Sequence, residues 1–287
     1  MKLALGTVQF GVNYGVANKN GQVDSKEIMS ILQYAKSVGI DLLDTAAAYG
    51  MSESVLGNAG VADWKCITKL GPMPSEVTCV KEWVTDQINQ SLKKLNISTL
   101  HGLLLHKPSD LLGEFGEEYL AALLRLKNSG VIQGLGYSIY SPDCLEELTA
   151  IYWPDIVQTP YNVFDQRIKN SGWLERLWQG NTKIHARSIF LQGLLLMNHG
   201  SRPDYFQKWS EQLSVWDEVL KRHKVSPIEA ALSYALSEDR FEKVIVGVNS
   251  AGQLKELVEV KGKVIESMRE LSSSDLELIE PFRWNLT

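Results

Sequence analysis

Residues 102–138 read GLLLHKPSDLLGEFGEEYLAALLRLKNSGVIQGLGYS, and this stretch shows a pattern that repeats along the chain. Two short apolar runs, Gly102–His106 and Ile132–Ser138, enclose the segment Glu118–Ser129, in which apolar residues recur at helical spacing. Short runs of this kind predict buried strands, and the segment between them predicts an amphipathic helix. A crossover through a helix joins parallel strands, so the stretch predicts one βαβ unit.

The same alternation runs from the first residues to about residue 250. We expect eight strands, at Leu3–Gln9, Asp41–Thr45, Cys66–Leu70, Gly102–His106, Ile132–Ser138, Ile156–Tyr161, Lys183–Phe190 and Lys243–Val248. Helix-start signals stand at Asp24 and at Ser226-Pro227, because Asp and Ser are good N-caps and Pro suits the first helical position. Eight βα units in succession favour one α/β domain over residues 1–287, a single (β/α)8 TIM barrel, over a doubly wound sheet. The last residues, 272–287, are expected to form a helix and tail outside the barrel.

Composition narrows the class of protein. The chain has 287 residues, with 29 Lys and Arg against 34 Asp and Glu, which gives a formal net charge of −5. This mildly acidic balance, without a run of basic residues, argues against nucleic acid or an anionic membrane as a partner. No secretory leader or apolar run of membrane-spanning length is present, so we expect a cytoplasmic protein. The three cysteines have no C-x-x-C spacing and predict neither disulfides nor a zinc site.

Familiar nucleotide and metal motifs are absent. Neither G-x-G-x-x-G after an early strand, nor G-x-x-x-x-G-K-[ST], nor H-E-x-x-H occurs. His101 and His106 stand just before and at the end of the predicted strand Gly102–His106; in extended chain, residues five apart point to opposite faces and cannot share a metal. The sequence therefore predicts no metal site, and any nucleotide must be held by another device.

Polar side chains do gather at the predicted ends of three consecutive strands. Asp44 and Tyr49 follow the second strand, Lys69 ends the third, and His106 ends the fourth. Active sites of barrels lie at the carboxyl ends of the strands, where these four side chains can converge. An ammonium beside a phenol favours the phenolate and so eases release of the phenolic proton. The set is therefore a candidate proton donor, although a partly buried Asp44–Lys69 ion pair and a simple rim tyrosine remain alternatives.

Residues 44–53, DTAAAYGMSE, resemble the D-T-A-x-x-Y-G-x-S-E motif of the aldo-keto reductases. Lys69 and residues 105–108, LHKP, continue the resemblance, which extends over nearly the whole chain. It implies a barrel that reduces an aldehyde or ketone to an alcohol with NADPH or NADH, by direct hydride transfer and without metal. On this resemblance Tyr49 is the general acid, Lys69 tunes it, Asp44 pairs with Lys69, and His106 orients the carbonyl.

The resemblance also implies a nicotinamide cofactor site. The residues that it assigns to the cofactor are Gly6, Thr7, Ser138, Gln158, Arg187, Ser188, Phe190, Gln192, Gly193, Gly247, Asn249, Ser250, Gln253 and Glu256. Ser138 and Gln158 would hold the carboxamide, and the loop after the last strand would hold the adenosine phosphates.

Four positions depart from the family pattern. Ile139 replaces an asparagine that holds the carboxamide, and Arg187 replaces a tyrosine that stacks on the nicotinamide ring. A stacked guanidinium would repel the oxidised ring and favour NAD(P)H, unless Arg187 only pairs with a surface carboxylate. In the loop after the last strand, Gln253 replaces a frequent arginine and Leu257 replaces an asparagine. No basic residue in that loop clearly awaits a 2′-phosphate, so the choice between NADPH and NADH stays open.

The expected substrate is a small polar carbonyl compound. The opening residues 5–18 resemble a bacterial branch of the family linked with sugar metabolism. Loop residues that could border the mouth of the site, unless they are plain solvated loop residues, are Asn13, Tyr14, Asn18, Asn162, Gln166 and Arg167. A second hypothesis is a regulatory protein on the same barrel that senses a nucleotide, like the potassium-channel β subunits of this family. A third is an unrelated barrel isomerase or lyase with Lys69 as a Schiff-base amine.

Overall fold

A computed structural model of the protein describes residues 1–18, 21–260 and 265–286. Eight parallel strands close into a barrel and follow one another in chain order. They are β1 (Leu3–Gly6), β2 (Leu42–Asp44), β3 (Lys65–Leu70), β4 (Gly102–Leu105), β5 (Leu135–Ser138), β6 (Ile156–Pro160), β7 (Lys183–Arg187) and β8 (Phe241–Gly247). β1 pairs with β8, with Leu3 opposite Val244, and this pairing closes the ring. The expected (β/α)8 barrel is confirmed.

Helices connect the strands and surround the barrel. They are α1 (Val8–Gly11), α2 (Ser25–Ser37), α3 (Ser52–Ala59), α4 (Val80–Leu95), α5 (Gly116–Asn128), α6 (Leu145–Ile151), α7 (Arg167–Asn170), α8 (Trp173–Gln179), α9 (Ser210–His223), α10 (Pro227–Leu236), α11 (Ala251–Glu259) and α12 (Leu276–Ile279). Short 3₁₀ turns lie at Pro108–Leu112, Pro142–Cys144, Leu191–Leu196, His199–Ser201, Asp204–Trp209, Glu266–Leu271 and Pro281–Arg283. Among the described residues, none of these helices has both the length and the apolar character of a membrane span.

Local signals in the sequence begin the helices where expected. The Asp24 carboxylate accepts hydrogen bonds from the backbone N–H groups of Lys26 and Glu27, and the Ser226 hydroxyl accepts one from Glu229. Several strands are shorter than the sequence suggested: β5 begins at Leu135 rather than Ile132, and β1 and β7 each end three residues early. β1 ends at Gly6 because α1 begins at Val8, and β7 ends at Arg187 because the next residue, Ser188, is left-handed with φ 57°.

One layer of apolar side chains fills the barrel separately from the larger core under the helices. Its members are Ala4, Leu42, Ile67, Leu104, Ile156 and Ile245. Side chains alternate along a strand, so the residue two positions further on points inward again, nearer the carboxyl end. Those next inward positions are Gly6, Asp44, Lys69, His106, Gln158 and Gly247. The apolar layer inside the barrel therefore lies directly below these inward-facing positions and forms the bottom of the site.

The C-terminal segment reaches the mouth of the barrel. The indole of Trp284 packs edge-on against the Phe206 ring, with centroids 4.8 Å apart. Pro281 and Phe282, directly before it, line the central cavity. The expected helix and tail outside the barrel was thus wrong for residues 281–282, and Thr287 lies outside the described residues.

Candidate active site

A cavity of about 510 Å³ opens at the carboxyl ends of the strands. Asp44, Tyr49 and His106 line it, and Lys69 lies directly beneath them. The four side chains that lie at or just after the ends of β2, β3 and β4 are therefore close together in the folded protein.

Lys69 is the centre of the polar cluster. Its Nζ donates to Asp44 Oδ2 at 2.7 Å, to the carbonyl of Thr45 at 3.0 Å and to the phenolic oxygen of Tyr49 at 3.3 Å. The side chain is only 1% exposed. Burial alone would lower the pKa of Lys69, but the Asp44 carboxylate and the Tyr49 phenol outweigh it and raise that pKa above its ordinary value. The ammonium stays charged, and a positive charge in this position would stabilise a phenolate at Tyr49.

Asp44 is held from a second side. Its Oδ1 accepts a hydrogen bond of 2.6 Å from Nε2 of Gln158, 114 residues away in the chain. The other amide atom, Gln158 Oε1, is buried without a hydrogen-bond partner among the described residues. Gln158 therefore both fixes the carboxylate that holds Lys69 and presents an acceptor to the cavity.

Two glycines bring Tyr49 into place. A Cβ on Gly11 would lie 1.7 Å from the carbonyl oxygen of Tyr49, and a Cβ on Gly50 would lie 2.6 Å from the carbonyl oxygen of Gly11. Gly50 also has φ +56°, which side chains rarely adopt. Helix α1 and the loop after β2 touch backbone to backbone at this point, and the contact sets the height of the phenol above Lys69.

His106 faces Tyr49 across the cavity. The two rings are perpendicular, with centroids 6.2 Å apart. Burial, together with the positive charges of Lys69 and Arg187, lowers the pKa of His106 to about 4. The imidazole is therefore neutral near pH 7 and can hydrogen-bond a substrate oxygen without carrying charge.

This pKa predicts a stability effect. In an unfolded chain a histidine titrates near pH 6.5, so between about pH 6.5 and 4 the unfolded state binds a proton that the folded state excludes. Folding stability falls as the pH is lowered through that window. In His106→Gln we expect the slope of unfolding free energy against pH to be lower by up to one proton, about 1.4 kcal/mol per pH unit. Urea unfolding at several pH values measures it, with His223→Gln, an exposed histidine, as the control. Equal slopes in wild type and His106→Gln would contradict the prediction.

Most positions assigned to a cofactor lie around the same cavity. Those that line it are Gly6, Thr7, Ser138, Gln158, Arg187, Ser188, Phe190, Gln192, Gly193, Gly247, Asn249, Gln253 and Glu256. Ser250 does not, because its hydroxyl caps α11 by accepting from the Gln253 N–H at 3.1 Å. Gln9, Tyr140 and Phe282 also line the cavity and were not among the site residues expected from the sequence. Gln9 lies in α1, three residues after β1, and could have been found because it ends the expected first strand, whereas nothing local marks Phe282.

The nicotinamide end fits an amide-bearing ring. Gln158, which holds Asp44 at this end, has a buried side-chain amide oxygen without a hydrogen-bond partner in the described chain. The amide oxygens of Gln9 and Asn249, two other residues that line the cavity, are also buried without a partner there. Buried acceptors of this kind are costly unless a donor meets them. A carboxamide NH₂ is such a donor, so these residues fit the group that the family binds.

Arg187 and Ile139, two departures from the family pattern, are in contact. Arg187 donates from Nη2 to the carbonyl of Ile139 and from Nη1 to the Ser188 hydroxyl, both at 3.0 Å. Its guanidinium also lies 4.8 Å from the centroid of the Tyr140 ring. Arg187 forms no ion pair with any described carboxylate, so pairing with a surface acid does not account for it.

The opposite end of the cavity is acidic. The first N–H of α11, that of Ala251, is bound at 2.7 Å by the carboxylate of Glu27 from α2. Glu256 lines the cavity nearby. The side-chain oxygen of Gln253 accepts a hydrogen bond from the Asn249 N–H. Among the described residues that line the cavity, Arg187 at the other end is the sole lysine or arginine.

Three of the residues expected at the rim do not line the cavity and instead bond to other groups of the protein. Asn162 and Gln166 are buried and bonded to backbone groups, for instance Asn162 Oδ1 to the N–H of Phe164. Arg167 pairs with Asp165 and Glu280. These three side chains do not line the cavity, because they hydrogen-bond or pair with other groups of the protein. Tyr14 and Asn18, two other residues expected at the rim, do line it.

Comparisons with known proteins agree with the barrel fold and identify the family. Aldo-keto reductase YhdN of Bacillus subtilis is 25% identical, over 86% of this chain and 82% of that protein. The L-glyceraldehyde 3-phosphate reductase of Escherichia coli is 24% identical, over 94% of this chain and 89% of that protein. The structure of aldo-keto reductase AKR11C1 from Bacillus halodurans has a TM-score of 0.76 and 21% identity, and covers 99% of this chain and 95% of that one. The sequence model of the aldo/keto reductase family matches residues 2–275. The chain belongs to the aldo/keto reductase family, whose members are oxidoreductases that use nicotinamide cofactors.

Proposed function

We propose that the protein reduces a small polar aldehyde or ketone to an alcohol, with Tyr49 as the proton donor. The observation that carries this proposal is the buried ammonium of Lys69, which donates hydrogen bonds to both the Asp44 carboxylate and the Tyr49 phenol at the base of a cavity. Family membership supports the general reaction, a carbonyl reduction.

The chain's own residues perform the proton transfer and the orientation of the substrate. A carbonyl oxygen that enters the cavity accepts hydrogen bonds from the Tyr49 hydroxyl and from the neutral His106 ring. As negative charge develops on that oxygen, the phenolic proton moves to it, and Lys69 stabilises the remaining phenolate. Asp44, fixed by Gln158, keeps the ammonium in place. A bound nicotinamide supplies the hydride.

Gln158 Oε1 and Ser138 are the residues that would hold the nicotinamide carboxamide. At the adenosine end we infer a preference for NADH over NADPH. Glu27 already occupies the start of α11, and Glu256 adds a second negative charge. A 2′-phosphate brought to this end would be repelled, while a free ribose hydroxyl would not.

A polar substrate fits the lining. Tyr14 and Asn18 border the cavity together with the orphaned amides. The E. coli relative, named for a phosphorylated sugar aldehyde, supports a polar carbonyl compound as the substrate class. The three cysteines are unpaired, which fits a cytoplasmic setting.

Lys69 is unsuited to Schiff-base chemistry. A nucleophilic amine must be neutral and reach substrate. Lys69 is charged, 1% exposed, and has acceptors for all three of its N–H bonds. The remaining alternative, a sensor of nucleotides with little turnover, differs from the reductase only in the reaction rate.

Titration with NADH and NADPH separately, followed by protein fluorescence and melting temperature, tests the cofactor half of the proposal. Binding to the native state raises the melting temperature by mass action. We expect saturable binding, with NADH the tighter ligand. In Gln253→Arg, a cation beside the acidic end should tighten NADPH about tenfold while changing NADH less. If neither nucleotide binds to the folded protein, the reductase hypothesis is wrong. If one binds and no aldehyde in a broad panel is reduced, the sensor hypothesis replaces it.

A further inference from the structure

Arg187 differs from every other half-buried arginine that the structure describes. The others, Arg167, Arg202 and Arg240, each form ion pairs with carboxylates at 2.5–2.9 Å. Arg187 has neutral acceptors only, the Ser188 hydroxyl and the Ile139 carbonyl. Two of its five N–H bonds are used in this way, which leaves three for a ligand.

Among the residues that the structure describes, no negative charge near the Tyr49 end of the cavity is free to balance the Arg187 guanidinium. The Lys69 ammonium is balanced by Asp44, and His106 is neutral. The positive charge of Arg187 contributes to the lowered pKa of His106. The remaining acid of the lining, Glu256, belongs to the loop and helix after β8, at the adenosine end. A partly desolvated guanidinium without a counter-ion is costly, and an anion that arrives in the cavity removes that cost.

The surroundings of Arg187 also fix its orientation. The Tyr140 ring lies against the guanidinium at 4.8 Å, and Phe282 packs edge-on against Tyr140, also at 4.8 Å between centroids. The hydrogen bonds to the Ser188 hydroxyl and the Ile139 carbonyl hold the plane of the guanidinium, whose N–H groups form a planar fork. A planar fork that is fixed in this way matches a carboxylate or a phosphate in bidentate geometry, which a lysine cannot do.

We propose that the substrate is an anionic carbonyl compound, and that Arg187 binds its carboxylate or phosphate group while Tyr49 and His106 hold its carbonyl oxygen. This inference rests on the proposed reductase function and narrows its substrate class. The competing role for Arg187 is contact with the cofactor.

Matched substrates test the proposal. We expect wild type to reduce 4-carboxybenzaldehyde with a higher kcat/KM than the isosteric neutral 4-carbamoylbenzaldehyde. In Arg187→Met the ratio of the two values should fall about tenfold to a hundredfold, because a charge-assisted pair is lost. Arg187→Lys should retain part of the ratio, since it keeps the charge but not the fork. Arg176→Met, which removes an exposed pair with Glu146 on an outer helix, is the matched control and should keep the wild-type ratio.

Equilibrium binding gives a second readout that needs no turnover. The affinities of 4-(hydroxymethyl)benzoate and 4-(hydroxymethyl)benzamide are compared by calorimetry, with and without NADH. We expect the benzoate to bind more tightly, and Arg187→Met to remove the difference. Equal binding of the two compounds by wild type, or weaker nucleotide binding in Arg187→Met with an unchanged substrate ratio, would overturn the proposal. Preferential binding of the benzoate without any carbonyl reduction would support the anion site and refute the reductase function.

Discussion

Tyr49→Phe is expected to lower kcat/KM for carbonyl reduction by about 10²- to 10⁴-fold, the usual contribution of a positioned proton donor. The change removes one oxygen, the atom that Lys69 reaches at 3.3 Å and the one atom of Tyr49 able to give a proton to substrate. The ring, its perpendicular contact with His106 and the glycine-dependent backbone contact all remain. Steady-state kinetics with the nucleotide that binds best measure the loss.

The loss must come from the chemical step for the assignment to hold. Nucleotide affinity and melting temperature of Tyr49→Phe should stay near wild-type values, because the hydroxyl is neither a core atom nor at the adenosine end. Tyr34→Phe, on the outer helix α2, controls for the substitution itself. Retention of more than a tenth of the wild-type kcat/KM would mean that another group donates the proton.

Lys69→Met is expected to have the largest effect on stability. It leaves the Asp44 carboxylate buried, 4% exposed, with the Gln158 amide as its remaining partner. Removal of one partner of a buried ion pair typically costs about 3–5 kcal/mol, because the other charge stays desolvated. We expect the free energy of unfolding to fall by about that amount, and activity to fall with it. Urea unfolding monitored by fluorescence gives the value.

A double variant separates the lost pair from lost packing. Asp44→Asn/Lys69→Met removes both charges and keeps an acceptor for Gln158, so it should recover most of the stability that Lys69→Met loses. Lys36→Met breaks an exposed pair with Asp63 and should change stability by less than about 1 kcal/mol. A double variant as unstable as Lys69→Met would show that the lysine stem, not its charge, supports the site.

The sequence predicted the architecture because the signals for it are local. Each strand is a short apolar run, and each helix repeats its apolar residues every three or four positions, so strand count and order could be read directly. The cluster of Asp44, Tyr49, Lys69 and His106 followed from the same rule. Three of these four stand two residues beyond a member of the inner apolar layer, and alternation along a strand turns them inward together.

Strand ends were less certain because they depend on backbone geometry. β7 was expected to continue to Phe190, but the left-handed φ of Ser188 ends it at Arg187. A non-glycine residue in this conformation has no clear signature in sequence. The turn nevertheless matters for function, since Arg187 and Ser188 are bonded to each other at its start.

The sequence by itself determined the barrel, the order of its strands and the four residues at the base of the cavity, since periodicity and strand-end position are properties of neighbouring residues. Only the tertiary structure decided which side chains partner one another across the molecule. Gln158 hydrogen-bonds to Asp44 from 114 residues away, and Glu27 accepts a hydrogen bond from the first N–H of α11 from 224 residues away. Arg187 bonds to the Ser188 hydroxyl and the Ile139 carbonyl and pairs with no described carboxylate. The physical reason is that such partners are set by how whole elements pack around the barrel, and local periodicity carries no record of that packing.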